Sequence, residues 1–142
     1  LVCAGAGPLE SMLLESGAED KGFVQPEDLP ALMKGASAFV LPSRFEPWGV
    51  VAQEAAASSL PLILSNACGA GVHLLHDHYN GFNFSADSVG SLTQALRAMH
   101  SLPLPQRQAF GQASYELSKQ YTPKRWSETL LQGVQRLNVY ST

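Results

Sequence analysis

Short apolar runs alternate with amphipathic stretches through the first part of the chain, and each switch of period marks an element. Leu1 to Ala4 predicts a strand, Gly5-Ala6-Gly7-Pro8 a turn, and Leu9 to Ser16 a helix. Pro8 suits the first turn of that helix and Gly17 its end. Gly22-Phe23-Val24 predicts a second strand. Pro26-Glu27-Asp28 then opens a helix running to Gly35, with acids in the first turn favoured by the macrodipole. Phe39 to Leu41 predicts a third strand, Trp48 to Ser58 a third helix, and Leu62 to Leu64 a fourth strand. A glycine-rich turn leads to a helix from Gly71 to His76, and Asn80-Gly81 marks a turn before a fifth strand, Phe82 to Phe84.

Beyond that strand the period becomes helical throughout. Leu92, Ala95, Leu96 and Met99 share one helix face, and Pro103 and Pro105 separate that helix from the next, Gln106 to Gln120. Thr122-Pro123 caps a last helix carrying Trp126, Leu130, Val134 and Leu137, with Tyr121 and Trp126 expected to anchor it. Strands alternating with helices predict an α/β fold: a parallel sheet of five strands in three layers, followed by C-terminal helices. No internal repeat or low-complexity linker interrupts the chain.

Composition narrows the picture. The 142 residues are 45% hydrophobic and 15% charged, which fits one globular domain, 1–142, with a real core. A net charge of -3 without a basic block argues against a nucleic-acid partner. Cys3 and Cys68 make no disulfide framework, so a reducing, cytoplasmic setting is expected. No run approaches the roughly 18 apolar residues of a membrane span. The chain starts at a strand without an initiator Met, so it is expected to be a piece of a longer protein.

The candidate chemistry lies in Ser43-Arg44-Phe45-Glu46-Pro47-Trp48-Gly49-Val50-Val51-Ala52-Gln53-Glu54-Ala55. Glu46 falls before a predicted helix and Glu54 within it. A helix N-terminus carries unpaired N–H groups and roughly half a positive charge, so it receives phosphate without a dedicated lysine or metal. The amides of Trp48, Gly49, Val50 and Val51 are the candidates, and Gly49 has no side chain to keep a ligand from the backbone. Glu54 is placed to accept hydrogen bonds from adjacent hydroxyls such as a ribose pair. Glu46 is placed near sugar hydroxyls or the charge of a breaking glycosidic bond. In parallel sheets such ligands lie beyond the carboxyl ends of the strands. Acids at a helix start are also ordinary caps; the small apolar surroundings of Glu54 (Val50, Val51, Ala52, Ala55, Ala56, Ala57) instead predict a partner for it.

This segment resembles the E-x7-E signature of retaining glycosyltransferases of the GT4 class, which have the GT-B fold. Val2-Cys3-Ala4-Gly5-Ala6-Gly7-Pro8 is similar to the family's strand and G-x-G-P turn, and Gly22 to Val24, Ala38 to Ser43, Pro61 to Gly71 and Asn80-Gly81-Phe82 follow in family order. The resemblance covers nearly the whole chain and implies a Rossmann-like, donor-binding C-terminal half. It implies that Glu54 binds the nucleotide ribose, that Glu46 is catalytic near the donor sugar, and that the amides about Trp48, Gly49, Val50 and Val51 hold the diphosphate. Backbone at Val24 would meet the base edge, and Gly69, in Gly69-Ala70-Gly71, would line the sugar. The implied reaction transfers a hexose with retention from a nucleotide diphosphate sugar, with no cofactor and no bound metal. The acceptor would be a saccharide or lipid in cell-surface polysaccharide synthesis, bound through an N-terminal domain, with peripheral association at the inner membrane face.

The family's first strand-helix unit and its N-terminal domain have no counterpart here, so the piece by itself is expected to be inactive. Without that central strand, either the gap closes in a flavodoxin-like 2-1-3-4-5 order, the expected outcome, or something replaces it. Apolar surface left by the missing parts would favour a homodimer of the piece. His73, His76 and His78 lack a second ligand cluster and read as surface residues rather than a metal site. Arg44 is assigned to Glu46, a phosphate or solvent, and Trp48 to the sugar pocket or to packing. Alternative functions are another GT-B chemistry, such as nucleotide-sugar epimerisation or phosphorolysis, and a non-catalytic flavodoxin-like interaction module.

Overall fold

A computed structural model describes residues 1–139. The chain divides into two compact units, Leu1–Gly35 and Ala36–Thr142. The first unit comprises β1 (Val2–Cys3), α1 (Glu10–Glu15), β2 (Glu19–Asp20) and α2 (Leu29–Lys34). β1 and β2 pair in parallel, Val2 with Glu19 and Cys3 with Asp20. The second strand therefore precedes its expected place at Gly22-Phe23-Val24. Gly22 takes a φ of +57° and donates its N–H to Asp20 Oδ1 at 2.8 Å. That side-chain-closed turn ends the extended backbone, and Val24 falls in the loop beyond it. α2 also starts later than Pro26, with Asp28 at its N-cap.

The second unit contains β3 (Phe39–Leu41), α3 (Val50–Ala57), β4 (Leu62–Ser65), α4 (Gly71–Leu74), β5 (Gly81–Phe84), α5 (Val89–Ser101), α6 (Leu104–Ser118) and α7 (Pro123–Val139). Its sheet has the order β3-β4-β5, all parallel, with Phe39 opposite Leu62 and Ile63 opposite Phe82. β4 is central and all four of its residues are buried, which explains its unbroken apolar run. One sheet face carries Ile63, Phe82 and Phe84 and packs with Ala95 and Met99 of α5 and Phe110 of α6. α3 and α4 lie with the other face, where Gly71 approaches Leu64 and Ala52, Ala55 and Ala56 of α3 are fully buried. The α5 stripe is as expected except that Leu96 is 40% exposed, while Ala98 and Leu102 join the packing.

The α/β class and the parallel pairing are as expected, with 2-1 adjacent in the first unit and 3-4-5 in the second. The strands make two sheets, β1-β2 and β3-β4-β5. β1 is two residues long and its partner β2 is Glu-Asp, so that pair has few ladder bonds and buries little apolar area. The anchors of α7 also differ from expectation. Tyr121 is half-buried, whereas Trp126 is 69% exposed. Thr122 does cap the helix, its Oγ1 accepting from Arg125 N at 3.2 Å. The Leu137 side chain lies outside the described residues.

Candidate functional site

The turn after β3 is sewn to the loop after β4 by main-chain bonds. Glu46 N donates to Ala67 O at 3.1 Å, Gly69 N to Glu46 O at 2.9 Å, and Ala70 N to Trp48 O at 2.7 Å. Cys68 Sγ adds a contact to Trp48 O at 3.4 Å. These bonds fix the backbone on either side of the Glu46 carboxylate, which is half-buried. Gly69 is required at this seam, because a Cβ there would strike the Pro47 carbonyl.

Gly49 is the N-cap of α3 with φ +93° and ψ +64°, a left-handed conformation that starts the helix sharply. The reason for a glycine is not the expected one. A Cβ at Gly49 would lie 2.9 Å from Cys68 Sγ, 3.2 Å from Glu46 Cγ and 3.3 Å from Leu41 Cδ2. The missing side chain makes room for the protein's own packing, beneath the helix front rather than above it.

Among the described residues, the amides of Trp48, Gly49, Val50 and Val51 meet no protein acceptor. Val50 at the helix start is 61% exposed, so the front of α3 is open on that side. α3 is eight residues long, and its aligned peptide dipoles bias this end toward anions.

From the helix start, Val50, Gln53, Glu54 and Ala57 recur at helical spacing and form one wall of a groove of about 670 Å³. Trp48, Tyr121, Arg125 and Trp126 also line it. Half of its twelve lining residues are aromatic or apolar and half are polar. Glu54 is exposed into this groove and has no ion pair among the described residues, so the partner expected for it inside the protein is absent.

Trp48, Val50 and Glu54 thus come together at the groove, while Glu46, Gly49 and Gly69 meet at the seam below the helix front. Glu46 does not line the groove; Trp48 belongs to both groups, its ring in the groove and its carbonyl in the seam. Val51 is half-buried behind the front turn, and Val24 belongs to the first unit. Arg44 pairs not with Glu46 but with Asp87, Nε to Oδ1 at 2.5 Å. His73 rests against Trp48 and Tyr121, with ring centroids at 5.6 and 5.5 Å. Among the described residues no three His, Cys, Asp or Glu side chains gather as metal ligands.

Sequence reasoning missed Gln53, Tyr121 and Arg125 as groove residues. Gln53 Nε2 donates to the Tyr121 carbonyl, 68 positions away, a contact with no local signature.

The family profile described as "Glycosyl transferases group 1" matches residues 9–117. Glycogen synthase of Mycobacterium tuberculosis is 33% identical over 107 residues, covering 70% of this chain and 26% of its own. Sucrose-phosphate synthase from Thermosynechococcus elongatus superposes with a TM-score of 0.80 and 20% identity, covering 100% of this chain and 39% of that one. Anabaena Alr3699/HepE, in complex with UDP and glucose, gives 0.76 and 19%, covering 92% of this chain and 40% of its own. At such identities the two structures share the fold. The chain spans 26% of the curated relative it matches.

Proposed function

The chain belongs to the group 1 glycosyl transferases, and from that premise we propose that it is the donor-binding half of a retaining, GT-B hexosyltransferase. The observation that carries this reading is the open front of α3 beside Glu54: four unpaired amides lead into a groove walled by a free carboxylate. A diphosphate at the amides of Trp48, Gly49, Val50 and Val51 meets N–H donors and the positive helix end, with no metal needed to offset its charge. Glu54 then accepts from the ribose hydroxyls in the groove. The solved complex of the Anabaena relative with UDP and glucose supports a nucleotide-sugar donor.

Glu46 acts at the donor sugar, its backbone held by Ala67 and Gly69 so that the carboxylate keeps one position as the glycosidic bond breaks. The positive charge that develops on the anomeric carbon is stabilised by that carboxylate, and the negative charge on the departing diphosphate by the α3 amides. The incoming acceptor hydroxyl gives its proton to the departing diphosphate on the same face, and configuration is retained. Gly69 lines the sugar. The acceptor is a saccharide or lipid presented by the remainder of the protein, in cell-surface polysaccharide synthesis. The proposed setting is cytoplasmic, at the inner membrane face; no helix of the described residues is long and apolar enough to cross a membrane.

The test is donor binding and turnover by the full-length protein with UDP-, GDP- and ADP-glucose. Hydrogen bonds to ionised groups are worth about 1.5–3 kcal/mol, so Glu54→Gln should weaken the donor roughly 10- to 100-fold. Glu46→Gln should leave binding in place and suppress turnover. Unchanged donor affinity in Glu54→Gln would sink the ribose assignment. Absence of any nucleotide-sugar binding would favour the non-catalytic module.

A further inference from the structure

The turn between α6 and α7 is tied to α3 through one side chain. Gln53 donates from Nε2 to the Tyr121 carbonyl. Tyr121 is half-buried, whereas every residue from Thr122 to Arg136 is exposed, so α7 is held at its root. The Tyr121 ring meets Trp48 edge-on, with centroids 6.5 Å apart and planes at 66°, and His73 packs beside both rings. Trp48 is itself fixed through its carbonyl by Ala70 N and Cys68 Sγ. A continuous path of contacts therefore runs from the root of α7 to the turn that begins α3. Gln53 precedes Glu54 on the groove wall, but its amide is engaged by the protein rather than offered to a ligand.

We propose that Gln53 is a positioning residue: its bond to Tyr121 sets the Tyr121 and Trp48 rings against the front of α3 and so keeps the groove beside Glu54 open to the donor. The proposal rests on the reading of that groove and helix front as the donor site. Gln53 shapes the walls for bound substrate and transition state alike, so its loss should raise the donor KM and leave kcat nearly unchanged.

The test uses the full-length protein with whichever of UDP-, GDP- and ADP-glucose the wild type binds. Gln53→Met keeps the length and apolar stem and removes the donor. It should raise KM about 3- to 10-fold, leave kcat within about twofold, and move the Trp48 indole N–H signal in NMR spectra taken without donor. Gln53→Glu is the diagnostic variant. Its ionised carboxylate cannot donate to the Tyr121 carbonyl at pH 8, so it should resemble Gln53→Met there. An unmoved Trp48 signal and KM in Gln53→Met would overturn the proposal, as would Gln53→Glu matching the wild type at pH 8. Should the wild type bind no nucleotide sugar while the Trp48 signal still tracks the state of residue 53, the link from α7 to Trp48 is supported and the donor reading is what fails.

Discussion

Adding one methyl group at Gly49 tests the construction of the helix front. Gly49 has φ +93°, where an L side chain is strained by about 1–2 kcal/mol. The new Cβ also meets Cys68 Sγ at 2.9 Å, with Glu46 Cγ and Leu41 Cδ2 at 3.2 and 3.3 Å. Gly49 and Cys68 are both buried, so the neighbours must shift, and overpacking of this kind costs about 1–3 kcal/mol. Reduced freedom of the unfolded chain returns about 0.4–1 kcal/mol. Gly49→Ala should therefore destabilise by about 2–4 kcal/mol, lowering the urea midpoint by about 1–2 M. Cys68→Ala removes the nearest atom but leaves the backbone strain. The double variant should be more stable than the sum of the singles by about 1 kcal/mol. Equilibrium urea denaturation followed by tryptophan fluorescence measures all three. A Gly49→Ala change below about 0.5 kcal/mol would refute the strain and contact argument. Strict additivity would leave Cys68 out of it.

Two further expectations concern the frame around the site. Asn80 is fully buried, donating to Leu74 O at 2.8 Å and Ser114 Oγ at 3.0 Å and accepting from His76 N at 2.7 Å. Asn80→Leu orphans the Leu74 carbonyl and the His76 amide and should destabilise by about 2–5 kcal/mol; a loss under about 1 kcal/mol in denaturant melts would mean that water replaces these bonds. Burial pushes the Cys68 thiol above its ordinary value and the Glu46 charge adds to this, while the Gly71 and Ala70 amides oppose it. A raised folded value favours the protonated thiol, so its contribution is complete below the unfolded thiol value of about 8.5 and is lost as pH rises through the higher folded one. Stability of the wild type relative to Cys68→Ala should accordingly decline as pH rises above about 8.5, and a difference that stays flat there would contradict it.

Much of the fold was legible because local rules agreed with the tertiary outcome. β3 has its expected bounds, β4 and β5 extend theirs by one residue each, and α3 starts just inside its expected range. Short apolar runs bounded by turn residues fit strands of a covered parallel sheet, and the fully buried β4 shows it most clearly. The second strand was misplaced because Phe23 and Val24 look strand-like, while the Asp20–Gly22 turn that ends the ladder is a side-chain effect. Gly49 was recognised as needed but for a different reason, since the atoms that crowd it come from Cys68, Glu46 and Leu41.

By itself the sequence determined the alternation of strands and helices, the placing of Glu46 and Glu54 about one helix front, and the family to which the chain belongs. The alternation and the placing follow from period, turn residues and spacing, all of which act over a few neighbours; the family follows from the resemblance of the motifs. Only the tertiary structure decided where the second strand ends and that Gly69 lets two loops touch. It also decided that the groove beside Glu54 is completed by Tyr121, Arg125 and Trp126. Such contacts join positions tens of residues apart, and they are selected by packing and hydrogen-bond satisfaction across the folded chain, which no local pattern encodes.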